Sequence, residues 1–148
     1  MTNIPGIDYI GITFTFFCHD GNGRFVMALR GKNARDEQGR WDLGGGQLEF
    51  GEDAIASLKR EIKEEYCADV LEHEFLGYRS VLREQKGKQT HWLSLDYLVR
   101  IDPTQVANGE PHKLDAVEWF TLDTLPSPTH SQCPNFLKAY KEKLTKCI

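Results

Sequence analysis

From Ile10 to Phe16 apolar and polar residues alternate, with Ile10, Ile12, Phe14 and Phe16 interleaved with Thr13 and Thr15. A period of two predicts a strand with its Ile/Phe face buried. His19-Asp20-Gly21-Asn22-Gly23 is a cluster of turn residues, and Arg24 to Leu29 is predicted as the returning strand of a hairpin. Arg30 to Arg40 reads as a polar loop carrying Arg30, Lys32, Arg35 and Arg40. Trp41-Asp42-Leu43 then leads into Gly44-Gly45-Gly46, where a side-chain-free backbone can approach a ligand. The period then changes: Ala54, Ile55, Leu58 and Ile62 fill one arc at about 100° per residue. This predicts a helix over Glu52 to Tyr66, with Glu52 and Asp53 in its first turn, suited to the helix dipole. Further on, strands are predicted over Glu74–Arg83 and Thr90–Ile101 around a turn at Gly87. The first puts Arg79, Val81 and Arg83 on one face; the second does the same for Leu93, Leu95, Tyr97 and Val99. A loop, Asp102 to Lys113, precedes a short strand, Val117 to Phe120. The last helix is predicted over Pro134 to Lys146, with Phe136, Leu137, Tyr140 and Leu144 on one face. Strand clusters with one central and one terminal helix predict an α/β/α sandwich around a mixed sheet.

At 148 residues the chain is long enough for one domain with a substantial core, spanning 1–148. The hydrophobic fraction of 40% and charged fraction of 27% fit a soluble globular protein. A net charge of −4 argues against bulk attraction to nucleic acid or an anionic membrane. Cys18, Cys67, Cys133 and Cys147 are widely spaced without a C-x-x-C pair. That pattern suits reduced thiols in the cytoplasm rather than a disulfide framework or zinc site. The apolar run Tyr9–Cys18 has no basic residue close before it and is too short to span a bilayer. Neither an internal repeat nor a targeting segment is expected.

The helix over 52–66 carries Glu61, Glu64 and Glu65 at spacings that place them together on the surface. Like charges there repel by about 0.2–0.5 kcal/mol per pair. One reading is a solvated charged face. The other is a site for a hard divalent cation, which prefers carboxylate oxygen. The wheel puts Glu65 inside the apolar arc, between Ala54 and Leu58, and Glu61 at its border. Acids are seldom buried unless paired or bound to metal.

These residues resemble the signature of the Nudix (MutT-like) hydrolases, G-x5-E-x7-R-E-U-x-E-E-x-G-U, where U is aliphatic. Gly46, Glu52, Arg60, Glu61, Ile62, Glu64 and Glu65 match at the right spacing. Cys67 replaces the late glycine, Ala68 the last aliphatic residue, and Gly44 stands where many relatives have proline. A glycine after a helix suits a left-handed residue, so Cys67 implies a different turn or some strain. Trp119-Phe120 through Pro126 also resembles a W-F-x-L-x-x-L-P segment near the end of such domains, which extends the likeness over nearly the whole chain.

The resemblance implies a Nudix-type sandwich with a mixed sheet between the signature helix and a C-terminal helix. It implies metal-dependent hydrolysis of a nucleoside diphosphate linked to another group. Metal ligands would be Glu61, Glu64, Glu65 and the Gly45 carbonyl, with Mg²⁺ as the cofactor and Mn²⁺ able to substitute. Glu61 or Glu65 would orient or deprotonate the water, or an acid from a late loop would, for which Glu110 is the candidate. Asp96 and Glu118 are weaker alternatives. Gly46, Glu52 and Arg60 are read as structural. A direct Arg60–Glu52 pair needs the loop to fold back, since two helical turns separate them. Arg30, Arg40, Arg79 and Arg83 are candidate phosphate contacts. Trp41, Tyr78 and Trp92 are candidates either for stacking on a base or for packing. The expected partner is a small nucleotide, with neither nucleic acid nor membrane. Nudix domains are often dimers, and nothing in the sequence decides for or against a homodimer. The marks of ADP-ribose, diadenosine polyphosphate, NADH and coenzyme A subfamilies are not met. A nucleoside triphosphate or related nucleotide is therefore the leading substrate. ADP-ribose or a nucleotide sugar is the alternative, and a non-catalytic nucleotide sensor is the rival of another class.

Overall fold

The computed structural model describes residues 2–148. In chain order the elements are β1 (Gly11–His19), β2 (Phe25–Arg30), β3 (Trp41–Asp42), β4 (Gly45–Gln47), α1 (Ala54–Tyr66), β5 (Val70–Gln85) and β6 (Lys88–Ile101). A 3₁₀ turn (Pro103–Gln105), β7 (Leu114–Phe120), α2 (Cys133–Ala139) and α3 (Lys141–Cys147) follow. All seven strands join one mixed sheet along the order β3-β2-β1-β6-β5, with β4 against β1 and β7 against β2. β1 runs parallel to β6 from Gly11↔Trp92 to His19↔Arg100, while β5 and β6 pair antiparallel along nearly their whole length.

The alternation read in β1 sorts its residues onto two cores. Phe14, Phe16 and Cys18 pack with Leu58, Ile62 and Tyr66 of α1 on one face of the sheet. Phe17 packs on the other with Phe25, Met27, and Phe136 and Leu144 of α2 and α3. The sandwich is the expected one, with the signature helix and the C-terminal helices on opposite faces.

Four local features differ from the sequence reading. The β1–β2 hairpin is paired only at its tip, His19↔Phe25. Beyond it the strands diverge, and β4 lines the β1 side of the split while β3 lines the β2 side. Chain 41–47 crosses this opening. The signature helix starts at Ala54, not Glu52: Asp53 is extended (φ −72, ψ 132) and caps the helix by accepting from the Ala56 N–H at 2.9 Å. Glu52 lies before the cap, and its Oε1 accepts from the Glu49 N–H at 3.0 Å. The β5–β6 turn shrinks to Lys86-Gly87, both at positive φ (51° and 77°), as a tight two-residue hairpin requires. The last helix divides at Tyr140 (φ −118, ψ 19), whose ring leans on Phe136 and whose hydroxyl reaches back to the sheet.

Cys67 adopts the left-handed conformation (φ 61, ψ 12), with its N–H donating to the Lys63 carbonyl. The turn that glycine makes in the signature is therefore retained, at the steric cost of a Cβ. All four cysteines are unpaired. No helix among the described residues is long and apolar enough to cross a membrane.

Candidate active site

A cleft of about 560 Å³ opens at the split between β1 and β2. Its floor is one face of the sheet. The register places Thr13 and Thr15 of β1 beside Ser94 and Asp96 of β6, with Arg79 opposite Ser94 on β5. Its wall is the signature helix behind the glycine run. Gly45, Gly46, Glu61, Glu64, Glu65, Glu110, Arg30, Arg79 and Arg83 all border this one cavity. Arg40 does not. It is exposed, and its Nη1 donates to the Thr129 carbonyl at 3.0 Å.

The glycines are dictated by contact. A Cβ on Gly46 would meet the Glu61 side chain at 3.0 Å, and one on Gly45 would strike the Phe14 carbonyl. Ladder bonds run from Phe16 N–H to the Gly44 carbonyl and from Leu48 N–H to the Ile12 carbonyl. Gly45, opposite Thr15, thus occupies the alternate, non-bonded position, with its own carbonyl turned away from β1.

Glu65 is the unusual group. Its Oε2 is buried and has no hydrogen-bond partner among the described residues. Burial pushes its carboxyl well above the ordinary range. The negative charges of Glu61, Glu110 and Asp42 push it further, opposed only by Arg30. Burial also raises Glu61, with Arg60 working against Glu64 and Glu110. Acids from α1, the β3 strand and the 107–113 loop therefore face one another across a small volume.

Glu110 is brought there by the helix end. The Ala107 N–H donates to the Tyr66 carbonyl and the Gly109 N–H to the Glu65 carbonyl, both at 3.0 Å, satisfying carbonyls the last turn leaves open. Gly109 has to be glycine for this approach, because a Cβ there would overlap the Glu64 carbonyl.

Arg60 folds the signature loop back onto the helix. Its Nη2 donates to Glu52 at 2.9 Å, and its Nη1 lies 3.2 Å from Glu61 and 3.3 Å from Glu64. Among the described residues no three acid, histidine or cysteine side chains are already gathered at metal-binding geometry, and Glu64 is turned toward Arg60. The donor set nevertheless suits a hard cation. It offers carboxylate oxygens, one of them buried and unpartnered, and a free backbone carbonyl.

The cationic side of the cleft is internally compensated. Arg30 bonds Asp36 (2.8 Å) and Asp42 (3.3 Å). Arg83 bonds Glu37 (2.6 Å) and Asp36 (3.3 Å), and Arg79 grips Asp96 through two nitrogens. Sequence reasoning missed Asp36, Glu37 and Asp42. None belongs to a spacing pattern, and only the fold shows that they meet the arginines. Of the aromatic candidates, Trp41 packs edge-on to Phe120 beside the second core, and Tyr78 is exposed away from the cleft. Trp92 alone borders the cavity.

Comparison with known proteins bears on the family and the fold. The NUDIX domain family matches residues 10–140. A MutT NUDIX hydrolase from Burkholderia pseudomallei is similar at 25% identity and a TM-score of 0.76, over 87% of this chain and 96% of that one. A NUDIX hydrolase from Nitrosomonas europaea shares the fold at 16% identity and a TM-score of 0.69, covering 90% of each chain. So does the NUDIX domain of Shewanella oneidensis NrtR, described in complex with ADP ribose, at 14% identity and a TM-score of 0.71, over 91% and 88%.

Proposed function

Because the chain belongs to the Nudix family of pyrophosphohydrolases, we propose that its cleft cleaves the phosphoanhydride of a nucleoside diphosphate linked to a further group. A nucleoside triphosphate or related nucleotide is the leading substrate. The carrying observation is the buried, unpartnered Oε2 of Glu65, crowded by Glu61, Glu110 and Asp42. Such a cluster is unfavourable on its own and suits a divalent cation. Glu61, Glu64, Glu65 and the Gly45 carbonyl would hold Mg²⁺, or Mn²⁺ in its place. A bound divalent ion supplies neutralisation of phosphate charge and a more acidic water.

The protein's own groups do the rest. Arg79 spends Nε and Nη2 on Asp96 and Thr15, and its Nη1 is left for a phosphate oxygen. Arg30 and Arg83 border the same cavity, each held in place by two carboxylates, and offer donors rather than net charge to a bound phosphate. Glu110 reaches the acid cluster from a separate loop and is our candidate to accept the proton of the attacking water. Glu52 and Arg60 hold the signature loop and stay outside the chemistry.

ADP-ribose and nucleotide sugars contain the same diphosphate, and a NUDIX domain of this fold is described with ADP ribose bound. The deciding assay measures phosphate or pyrophosphate release from (d)NTPs, oxidised (d)NTPs, ADP-ribose, nucleotide sugars and dinucleoside polyphosphates. It is run with Mg²⁺ and with EDTA, on the wild type and on Glu64→Gln. Turnover abolished by EDTA and by the substitution supports the hydrolase and names the substrate. Nucleotide binding without metal-dependent turnover on any compound favours a sensor.

A further inference from the structure

We propose that Trp92 is the stacking platform for the nucleobase, so that the cleft selects a substrate with a flat aromatic group at one end of the diphosphate. This rests on the nucleotide reading above. Trp92 stands on β6 two residues before Ser94, and its register partners are Gly11 on β1 and Val81 on β5. Paired residues of a sheet share a face, so the indole rises from the floor that also carries Thr13, Ser94 and Arg79.

Two glycines shape its seat. A Cβ on Gly11 would lie 2.5 Å from Cε3 and Cζ3 of the ring, and one on Gly6 would overlap its Nε1 edge. The N-terminal segment is held there by the His91 N–H, which donates to the Gly6 carbonyl at 2.8 Å, and by the Gly6 N–H, which donates to the Tyr9 carbonyl at 2.7 Å. The indole is thus bedded on backbone where any side chain would displace it, yet it still borders the open cavity. Over the ring, 6.0 Å from its centroid, lies the guanidinium of Arg35, an exposed side chain whose head has no ion pair among the described residues. Arg35 is free to swing aside or to cover a base laid on the indole, since guanidinium planes stack on aromatic rings.

Arg79 stands two residues along β5 from Val81, the register partner of Trp92. Base and diphosphate can therefore lie along one strand direction, the base on the indole and the phosphates toward Arg79 and the acids. Stacking reads the π-face common to all bases. The site should accept several bases and favour the larger purines.

The test is equilibrium binding in EDTA, followed by tryptophan fluorescence and calorimetry, with AMP, GMP and UMP as probes and ribose 5-phosphate as the base-free control. The wild type is expected to bind AMP and GMP with quenching, and ribose 5-phosphate about ten-fold or more weakly, the weight of one base–aromatic stack. Trp92→Leu should lose most of that preference, whereas Trp92→Phe, which keeps an aromatic face, should retain it in calorimetry. Circular dichroism of each variant establishes that it is folded. Equal binding of AMP and ribose 5-phosphate by the wild type, or an undiminished AMP preference in folded Trp92→Leu, overturns the assignment. The two readings fail separately. Quenching that depends on Trp92 without hydrolysis of any compound removes the hydrolase and leaves the stack. Hydrolysis with an AMP preference indifferent to Trp92 does the reverse.

Discussion

The guanidinium of Arg79 lies against the carboxylate of Asp96, with Nε to Oδ2 at 2.7 Å and Nη2 to Oδ1 at 3.1 Å. Asp96 is fully buried, and it also accepts from the hydroxyls of Ser94 (2.8 Å) and Tyr140 (2.5 Å). One carboxylate thereby ties β5, β6 and the α2–α3 junction together and aims Arg79 at the cleft. Sequence reasoning held Asp96 as a weaker alternative for the extra acid, and its four donors are those of an anchor.

Removing that anchor should leave a buried cation unpaired. Asp96→Ala is expected to cost about 3–5 kcal/mol in a denaturant titration. Tyr140→Phe, which deletes a single donor, should cost about 1–3 kcal/mol. A loss for Asp96→Ala no larger than for Tyr140→Phe would show that the pair does not govern stability here.

Arg60 is 44% exposed, and so are its pairs in part. Exposed ion pairs contribute about 0–1 kcal/mol. Arg60→Ala should therefore lower stability by no more than about 1 kcal/mol while slowing turnover, because Glu52 and the 49–52 loop lose their tether and Glu61 and Glu64 lose a neighbour. Thermal melts and steady-state rates measured together separate the effects. A large drop in melting temperature with unchanged rate contradicts the assignment.

An unpartnered carboxylate oxygen in the wall of the cleft is unfavourable without a cation. Glu65→Gln should therefore melt higher than the wild type in EDTA, by about 2–4 °C for each kcal/mol relieved. Added Mg²⁺ should raise the wild-type melting temperature and leave that of the variant nearly unchanged. Equal Mg²⁺ responses would remove Glu65 from the ligand set.

Acid stability should depend on the arginine-rich end of the cleft. Burial works to raise Asp36, but the Gln85 hydrogen bond and the Arg30, Arg83 and Arg35 charges outweigh it and hold the carboxyl below its usual range. Glu37 is likewise lowered against burial, by the Ser131 N–H and hydroxyl, His130 and Arg83. Carboxyls lowered in the folded state contribute stability above their unfolded values, about 3.9 and 4.3, and that contribution is lost as pH falls through the folded ones. Between pH 5 and pH 2 the wild type should thus lose more stability than Asp36→Asn/Glu37→Gln. Parallel acid titrations of the two proteins would refute this.

Gly109 sets how closely the Glu110 loop meets α1. Gly109→Ala should displace the loop, lower the melting temperature and reduce turnover through a shift of Glu110, whereas Glu110→Gln should reduce turnover without destabilising the fold. Unchanged stability in Gly109→Ala would mean that the loop yields easily.

The signature helix was legible because apolar period and acid spacing are local properties, although its cap at Asp53 was not. So was the core under that helix, since the alternation puts Phe14 and Phe16 on one buried face, and the stripe of Phe136 and Leu144 marks the face of the last helix that packs on the other side, whereas the burial of Phe17 there was not read. The split between β1 and β2 was hidden, because its sides are held by pairing of β1 with β4 and of β2 with β3, two short strands that carry no alternation of their own. Asp42 was hidden for the same reason, lying in a two-residue strand without a pattern. The kink at Tyr140 follows from a bond to Asp96, a partner forty-four positions away that no helical periodicity reports.

The parallel register of β1 and β6 has a kinetic meaning. β5 and β6 meet across a two-residue turn, so their contacts are short-range and close cheaply. Thr15 and Asp96, register partners in the cleft floor, are separated by 96 − 15 = 81 positions. Long closures of this kind slow folding. The floor that carries Trp92, Ser94 and Asp96 therefore gains its β1 half only when these two distant strands have come together. Partly folded molecules would hold a formed β5–β6 hairpin and no cleft, and in pulsed hydrogen exchange the amides of β1 should gain protection after those flanking Lys86-Gly87.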